Sequence, residues 1–240
     1  MKPFVKSWII LFLFTLPIAS TAEISSSDSN ESTCYGTSAK GKIHHSWQLP
    51  LYGENFQSYS LINWPFRTYV HSTVYKILID AYSSLESITP NIEYKYAETG
   101  LPSGGKFWPH RTHQNGRSVD LIVPVINKKT NKPDVLPSWI FNKFGYGIEF
   151  DSQGENETYV IDYSTLAKMI LAIYKASLKY QAPIAKIIFA PELRIHLLQT
   201  DAGRMLKKEK IEFSKNPAWV RHDDHIHIEF LINCLPLKNN

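Results

Sequence analysis

Residues 220–230 read VRHDDHIHIEF, and the second half of this stretch decides how the fold is built. Successive side chains of a strand point to opposite faces. In the extended run predicted over Ile226–Ile232, His225 at its head and His227 share one face, roughly 6.5–7 Å apart at the backbone. Ile226, Ile228 and Phe230 take the other face and belong in a core. One side of this strand packs, and the other carries acid–base groups.

The rest of the chain supplies the packing partners. Thr68–Ser87 sets Val70, Val74, Ile77, Leu78, Ala81 and Leu85 on one face at helical spacing, and the Thr89-Pro90 pair ends it. Ser164–Tyr180 predicts a second helix, with Leu166, Ile170, Ile173 and Tyr174 inward and Asp162 or Ser164 as its cap. Val119–Val125 and Ile184–Ala190 read as buried strands, and Pro191 opens a short helix through Leu198. Helices and strands alternate irregularly and no internal repeat is present. The expectation is one α+β domain, not a doubly wound sheet.

A second chemical stretch lies about a hundred residues earlier. HRTHQNGRSVDLIV begins at His110, with His113 and Asp120 separated by six residues and Gly116 between them. A turn at Gly116 can bring a loop histidine and a strand-entrance carboxylate to one point. Together the two stretches offer two or three imidazoles and one carboxylate. Zinc takes such ligands at about 2.0–2.2 Å, and its catalytic sites use three of them plus water.

The N-terminus indicates where this chemistry operates. Lys2 and Lys6 precede an apolar run from Trp8 to Ile18, followed by Ser20-Thr21-Ala22. This is the pattern of a cleaved secretory signal peptide over residues 1–22, leaving no stable membrane anchor. Residues 23–33 are serine-rich and polar and are expected to form a disordered leader, with the folded domain spanning 34–240. The formal charge of +4 falls by two when Lys2 and Lys6 are removed, too small and scattered an excess to argue for nucleic acid. Cys34 and Cys234 sit at opposite ends of the domain, and an oxidising compartment would pair them. Closing so long a loop stabilises by roughly 5 kcal/mol at most.

The sequences PSGG…PHRTHQNGRSVDL and NPAWVRHDDHIHIEF resemble the penicillin-insensitive murein endopeptidases. These belong to the wider group of lysostaphin-type peptidases, D-alanyl-D-alanine metallopeptidases and hedgehog domains. The likeness also takes in GTSAKGKIHHSWQLP, RTYVHSTVYKILIDAY and KIIFAPEL, and so covers most of Cys34–Cys234. It implies a hedgehog/D,D-peptidase-like fold, with a central, mainly antiparallel sheet flanked by helices. It further implies one Zn²⁺ per chain on His113, Asp120 and His227, with His225 beside the metal water. His222 and His110 match family active-site histidines whose roles are less settled. The implied activity is periplasmic hydrolysis of D-alanyl–diaminopimelyl cross-links, with peptidoglycan stem peptides as partners. Glu229 and Arg117-Ser118 depart from the family pattern and leave the substrate preference open.

The other polar residues are read more modestly. Asp224 and Asp223 could orient the histidines, or could be solvated turn residues. Lys106, Arg111 and Arg117 flank the first motif and could pair with a substrate carboxylate. Trp108 is placed near the site by its closeness to His110, while packing is the default for Trp64 and Trp219. Ser103-Gly-Gly-Lys106 has the Ser-x-x-Lys spacing of serine penicillin-binding enzymes, but two glycines disfavour the helix that chemistry needs. It is read as a loop bordering the cleft. The alternatives to a cross-link endopeptidase are a D,D-carboxypeptidase or dipeptidase on D-Ala-D-Ala ends, and a non-catalytic zinc-containing cell-wall binding protein.

Overall fold

The computed structural model describes residues 30–215, 218 and 220–237. The signal-peptide segment and Trp219 lie outside the described residues. The chain forms a single mixed α/β domain around a five-stranded sheet. Its strands are β1 (Phe56–Ser58), β2 (Tyr94–Tyr96), β3 (Ser118–Ile122), β4 (Ile184–Ile188) and β5 (His225–Phe230). They lie in the order β4-β5-β3-β2-β1; only β1 and β2 run parallel. Two 17-residue helices, α1 (Ser72–Ile88) and α2 (Tyr163–Lys179), pack against each other.

The pairing of β3 with β5 gives the sheet two chemically different faces. In this antiparallel register His227 lies opposite Asp120 and Ile228 opposite Val119. Val119, Leu121, Ile226, Ile228 and Phe230 are fully buried and join one core with Val74, Ile77 and Leu78 of α1 and Leu166, Ile170 and Ile173 of α2. A shift of one residue would exchange the core side chains for the polar ones, so burial of the isoleucines fixes where the histidines point.

Several element boundaries differ from the sequence expectation. Tyr69–Val70 pairs with Trp47–Gln48, so the first helix starts at Ser72 and not at Thr68. Strand β3 stops at Ile122. Past Pro124, Val125–Asn127 pairs instead with Lys132–Asp134 and Tyr159–Ile161 in a separate small sheet. Asp162 caps α2, its side chain accepting the Thr165 N–H at 2.9 Å. Pro191 opens a 3₁₀ turn before the short helix Arg194–Gln199. A further helix, Asp201–Lys208, was not expected from the apolar pattern because only Ala202, Gly203 and Leu206 are buried on it.

Cys34 and Cys234 are joined by a disulfide across a sequence separation of 200, with Cα atoms 4.8 Å apart. Residues just before Cys34 contact the domain. Ser32 donates its N–H to Ser72 Oγ at 3.0 Å and accepts the Ser72 N–H at 2.8 Å, and Glu31 pairs with Lys76. The end of the polar leader therefore docks on the first turn of α1.

That same turn carries a titratable cap. His71 Nδ1 accepts the Thr73 N–H at 3.1 Å. Burial lowers the His71 pKa to about 4, against the opposing pull of Glu31. An unfolded imidazole takes up its proton near pH 6.5. As pH falls, the unfolded chain therefore gains this proton first. The stability that neutral His71 provides is complete above about pH 6.5 and is lost as pH falls towards 4. His71→Asn keeps a capping side chain that does not titrate. The variant's urea midpoint is expected to fall less than the wild type's between pH 6.5 and 4.5. Equal falls would remove the assignment.

Candidate metal centre

Asp120 is the hub of the polar face. The left-handed backbone at His113 (φ 68°) and Gly116 (φ 76°) turns the preceding loop back onto the head of β3. A Cβ at Gly116 would come within 2.7 Å of the His71 backbone nitrogen, so glycine is required there. His113 is thereby buried, and its Nδ1–H donates to the Thr99 carbonyl at 3.1 Å. Its other nitrogen, Nε2, points at Asp120 Oδ1 from 3.2 Å. Across the β3–β5 ladder, His227 Nδ1 approaches the same oxygen at 2.9 Å.

The opposite oxygen is differently surrounded. Tyr146 donates its hydroxyl to Asp120 Oδ2 at 3.0 Å. His110 Nδ1 lies 3.7 Å from Oδ2, and His225 Nε2 lies 3.9 Å from it. Asp224 accepts the His225 Nδ1–H, which turns the Nε2 lone pair inward. His222 donates its Nδ1–H to the Val220 carbonyl at 2.9 Å, and its ring centre is 4.5 Å from that of His225.

The electrostatics follow from burial and this crowding. Burial opposes charge on Asp120, but His113, His227 and His225 together hold its pKa well below the ordinary carboxylate value. Burial likewise opposes charge on His113, and Asp120 overcomes it to raise the pKa. Burial lowers the His227 pKa despite its contact with Asp120. For His225 burial is outweighed by Asp224, and the pKa rises. His222 is lowered to about 4 by burial and then by its neighbour His225.

No protein-family model and no curated protein matches this chain.

The donor set fits a metal ion. His110, His113 and Asp120 offer ligand atoms that all lie within 4.8 Å of one another. The expected set, His113, Asp120 and His227, shares two members with this group and differs in the third. Both His113 Nε2 and His227 Nε2 are buried without a hydrogen-bond partner among the described residues. With its proton committed to Thr99, neutral His113 presents a bare Nε2 lone pair to a carboxylate. Only a proton or a cation between them satisfies both groups.

A cleft of about 870 Å³ opens onto Asp120, His225 and His227. Trp108, which is 85% exposed, lines it together with His110, Arg111, Tyr146 and His222. Other expected site residues lie elsewhere. Arg117 donates to Glu229 at 3.1 Å and to the Ile232 carbonyl at 3.0 Å, ties β5 to the chain after it, and does not line the cleft. The Ser103–Lys106 loop also does not border the cleft. Gly105 N–H bonds to the Gly41 and Gln114 carbonyls fasten it to the strand Gly41–His44 and to the loop after His113. Asp223 accepts from the Phe150 N–H and from Arg221, both at 2.7 Å, and braces a loop instead of a histidine. Trp64 donates its indole N–H to the Leu49 carbonyl at 2.8 Å and packs at the core's edge.

Three participants were not picked out from the sequence: Tyr146, Glu98 and Arg67. The buried Glu98 carboxylate accepts from Tyr59 at 2.9 Å and pairs with Arg67 and His110. Each is an isolated polar residue in an unremarkable context, YAETG for Glu98 and FGYGI for Tyr146, without spacing to mark it.

Proposed function

We propose that this protein is an exported zinc peptidase of peptidoglycan, with a hedgehog/D,D-peptidase-like fold, that hydrolyses D-alanyl–diaminopimelyl cross-links. The single observation carrying the reading is the approach of His113 Nε2 and His227 Nδ1 to one oxygen of Asp120, with His113 Nε2 buried and without a hydrogen-bond partner among the described residues. His113, Asp120 and His227 would hold the ion. His227 is preferred to His110 as third ligand because it shares Oδ1 with His113, whereas His110 faces Oδ2 from 3.7 Å. When bound, the ion supplies Lewis acidity that polarises a carbonyl and lets water act as nucleophile near neutral pH.

The remaining work falls to the chain's own groups. Asp224 fixes the His225 tautomer so that Nε2 can accept a proton from the attacking water and return it to the leaving amine. Its raised pKa favours the imidazolium that exists between those transfers. Tyr146 holds Asp120 Oδ2 and so leaves Oδ1 for the ligand side. Trp108 and Arg111 at the cleft offer an aromatic face and a cation to a stem peptide that carries carboxylates. The Cys34–Cys234 bond suits an oxidising compartment, in keeping with a periplasmic location.

The test uses metal-analysed protein and cross-linked muropeptide dimers, with products followed by mass. Monomer release that penicillin spares and a chelator stops is the expected result. Release of a terminal D-alanine alone would move the assignment to a carboxypeptidase. Stoichiometric zinc without any product would leave a binding protein.

A further inference from the structure

Glu98 is a buried carboxylate, 6% exposed, outside both histidine motifs. Its backbone is fastened to the site: its carbonyl accepts the Asp120 N–H at 3.1 Å, and its own N–H donates to the Tyr146 hydroxyl at 3.1 Å. Oε1 accepts from Tyr59 and from the Arg67 guanidinium, while Oε2 meets His110 Nε2. Arg67 extends the grip. Its Nη2 donates to the Trp108 carbonyl at 2.9 Å, and its guanidinium lies 4.1 Å from the centre of the Phe107 ring. The two residues thus clamp the loop that delivers His110 and His113.

This arrangement dictates a tautomer. A carboxylate paired with a guanidinium is ionised and can only accept hydrogen bonds. His110 Nε2 must then carry the proton, and in the neutral ring Nδ1 keeps its lone pair. That nitrogen lies 3.7 Å from Asp120 Oδ2, in the wall of the cleft. Asp224 and His225 repeat the device with the ring reversed: Nδ1–H goes to the carboxylate, and Nε2 lies 3.9 Å from the same Oδ2. Two carboxylate–imidazole pairs, one from the loop before β3 and one at the head of β5, therefore aim bare nitrogens at one oxygen.

We propose that Glu98, backed by Arg67, is a positioning residue that locks His110 as its Nε2–H tautomer and so holds the Nδ1 lone pair towards the site, across from His225. The kinetic consequence rests on the peptidase reading; the tautomer does not.

Glu98→Gln separates positioning from mere structure. Arg67 and Tyr59 demand the amide oxygen, so the amide NH₂ turns to His110 and can only donate to it. The ring must then keep its proton on Nδ1. Long-range ¹H–¹⁵N spectra, with His110 assigned by loss of its signal in His110→Gln, read this directly. The wild type is expected to show a pyridine-type Nδ1 and a pyrrole-type Nε2, and E98Q the reverse. E98Q should still take up one zinc per chain, and its kcat on muropeptide dimers should fall about ten- to a hundredfold, with KM little changed. A wild-type Nδ1–H tautomer overturns the proposal without any variant, so a poorly folding E98Q does not shelter it. The same tautomer in both proteins, or a reversed tautomer with unchanged kcat, also overturns it. A wild type that cleaves nothing defeats the peptidase reading, while the spectra still decide the role of Glu98.

Discussion

Replacing His113 by alanine is expected to abolish zinc retention and to lower kcat/KM on cross-linked muropeptide by at least about 10⁴-fold. The size follows from what the ion supplies. Free water ionises near pH 15.7, whereas metal-bound water does so near about 7, and no side chain in the cleft replaces that shift. On the proposed reading, His113 is the ligand whose loss does most damage. It is common to both candidate ligand sets, and its Nε2 has no hydrogen-bond partner among the described residues. Metal content after dialysis, measured beside activity, checks the prediction. An H113A protein that keeps stoichiometric zinc and activity within tenfold of wild type would sink the site. The same assay distinguishes the two third ligands. His227→Ala should lose zinc and His110→Ala should keep it; the opposite pattern would replace His227 by His110 in the metal set.

Much of this centre was legible in the sequence because a strand enforces a period of two. Once Ile226, Ile228 and Phe230 are assigned to the core, His225 and His227 have no freedom to face elsewhere. The helix faces were legible for the same reason: Val74, Ile77, Leu78, Ala81 and Leu85 are all buried, as their spacing requires. The boundaries were less so. Tyr69–Val70 looks helical by pattern and is claimed by a ladder with Trp47–Gln48, a contact that depends on residues far away in the chain.

What the sequence hid is the outer layer of the site. Glu98 reaches His110 across twelve positions, and Tyr146 reaches Asp120 across twenty-six. No periodicity links such pairs. They meet only because the Glu98 and Asp120 backbones bond to each other and the loop carrying Tyr146 folds over both. Arg117 misled in the opposite way. Its position beside the first motif suggests a substrate contact, yet at the entrance of β3 it faces Glu229 of β5.

His225→Ala is expected to leave zinc uptake intact and to lower kcat by about 10³-fold with KM little changed, the loss typical of a general acid–base group. The separation follows from the geometry. His225 Nε2 is 3.9 Å from Asp120 Oδ2, on the side away from the oxygen that His113 and His227 approach. Removing the ring leaves those three residues in place and takes away the imidazole whose proton-accepting nitrogen Asp224 turns inward. His222 is poorly placed to substitute. Burial lowers its pKa to about 4, well below the value suited to proton transfer at neutral pH. Asp224→Asn should give a smaller loss, about ten- to a hundredfold, because the ring remains but its tautomer and its imidazolium are less well supported. The order wild type, D224N, H225A in kcat, at constant zinc content, is the signature of His225 as the proton carrier. If H225A loses zinc in proportion to activity, His225 is a ligand. If all three proteins share one kcat, the proton carrier is another group, and His110, whose Nδ1 faces the same Asp120 oxygen from 3.7 Å, becomes the residue to replace next.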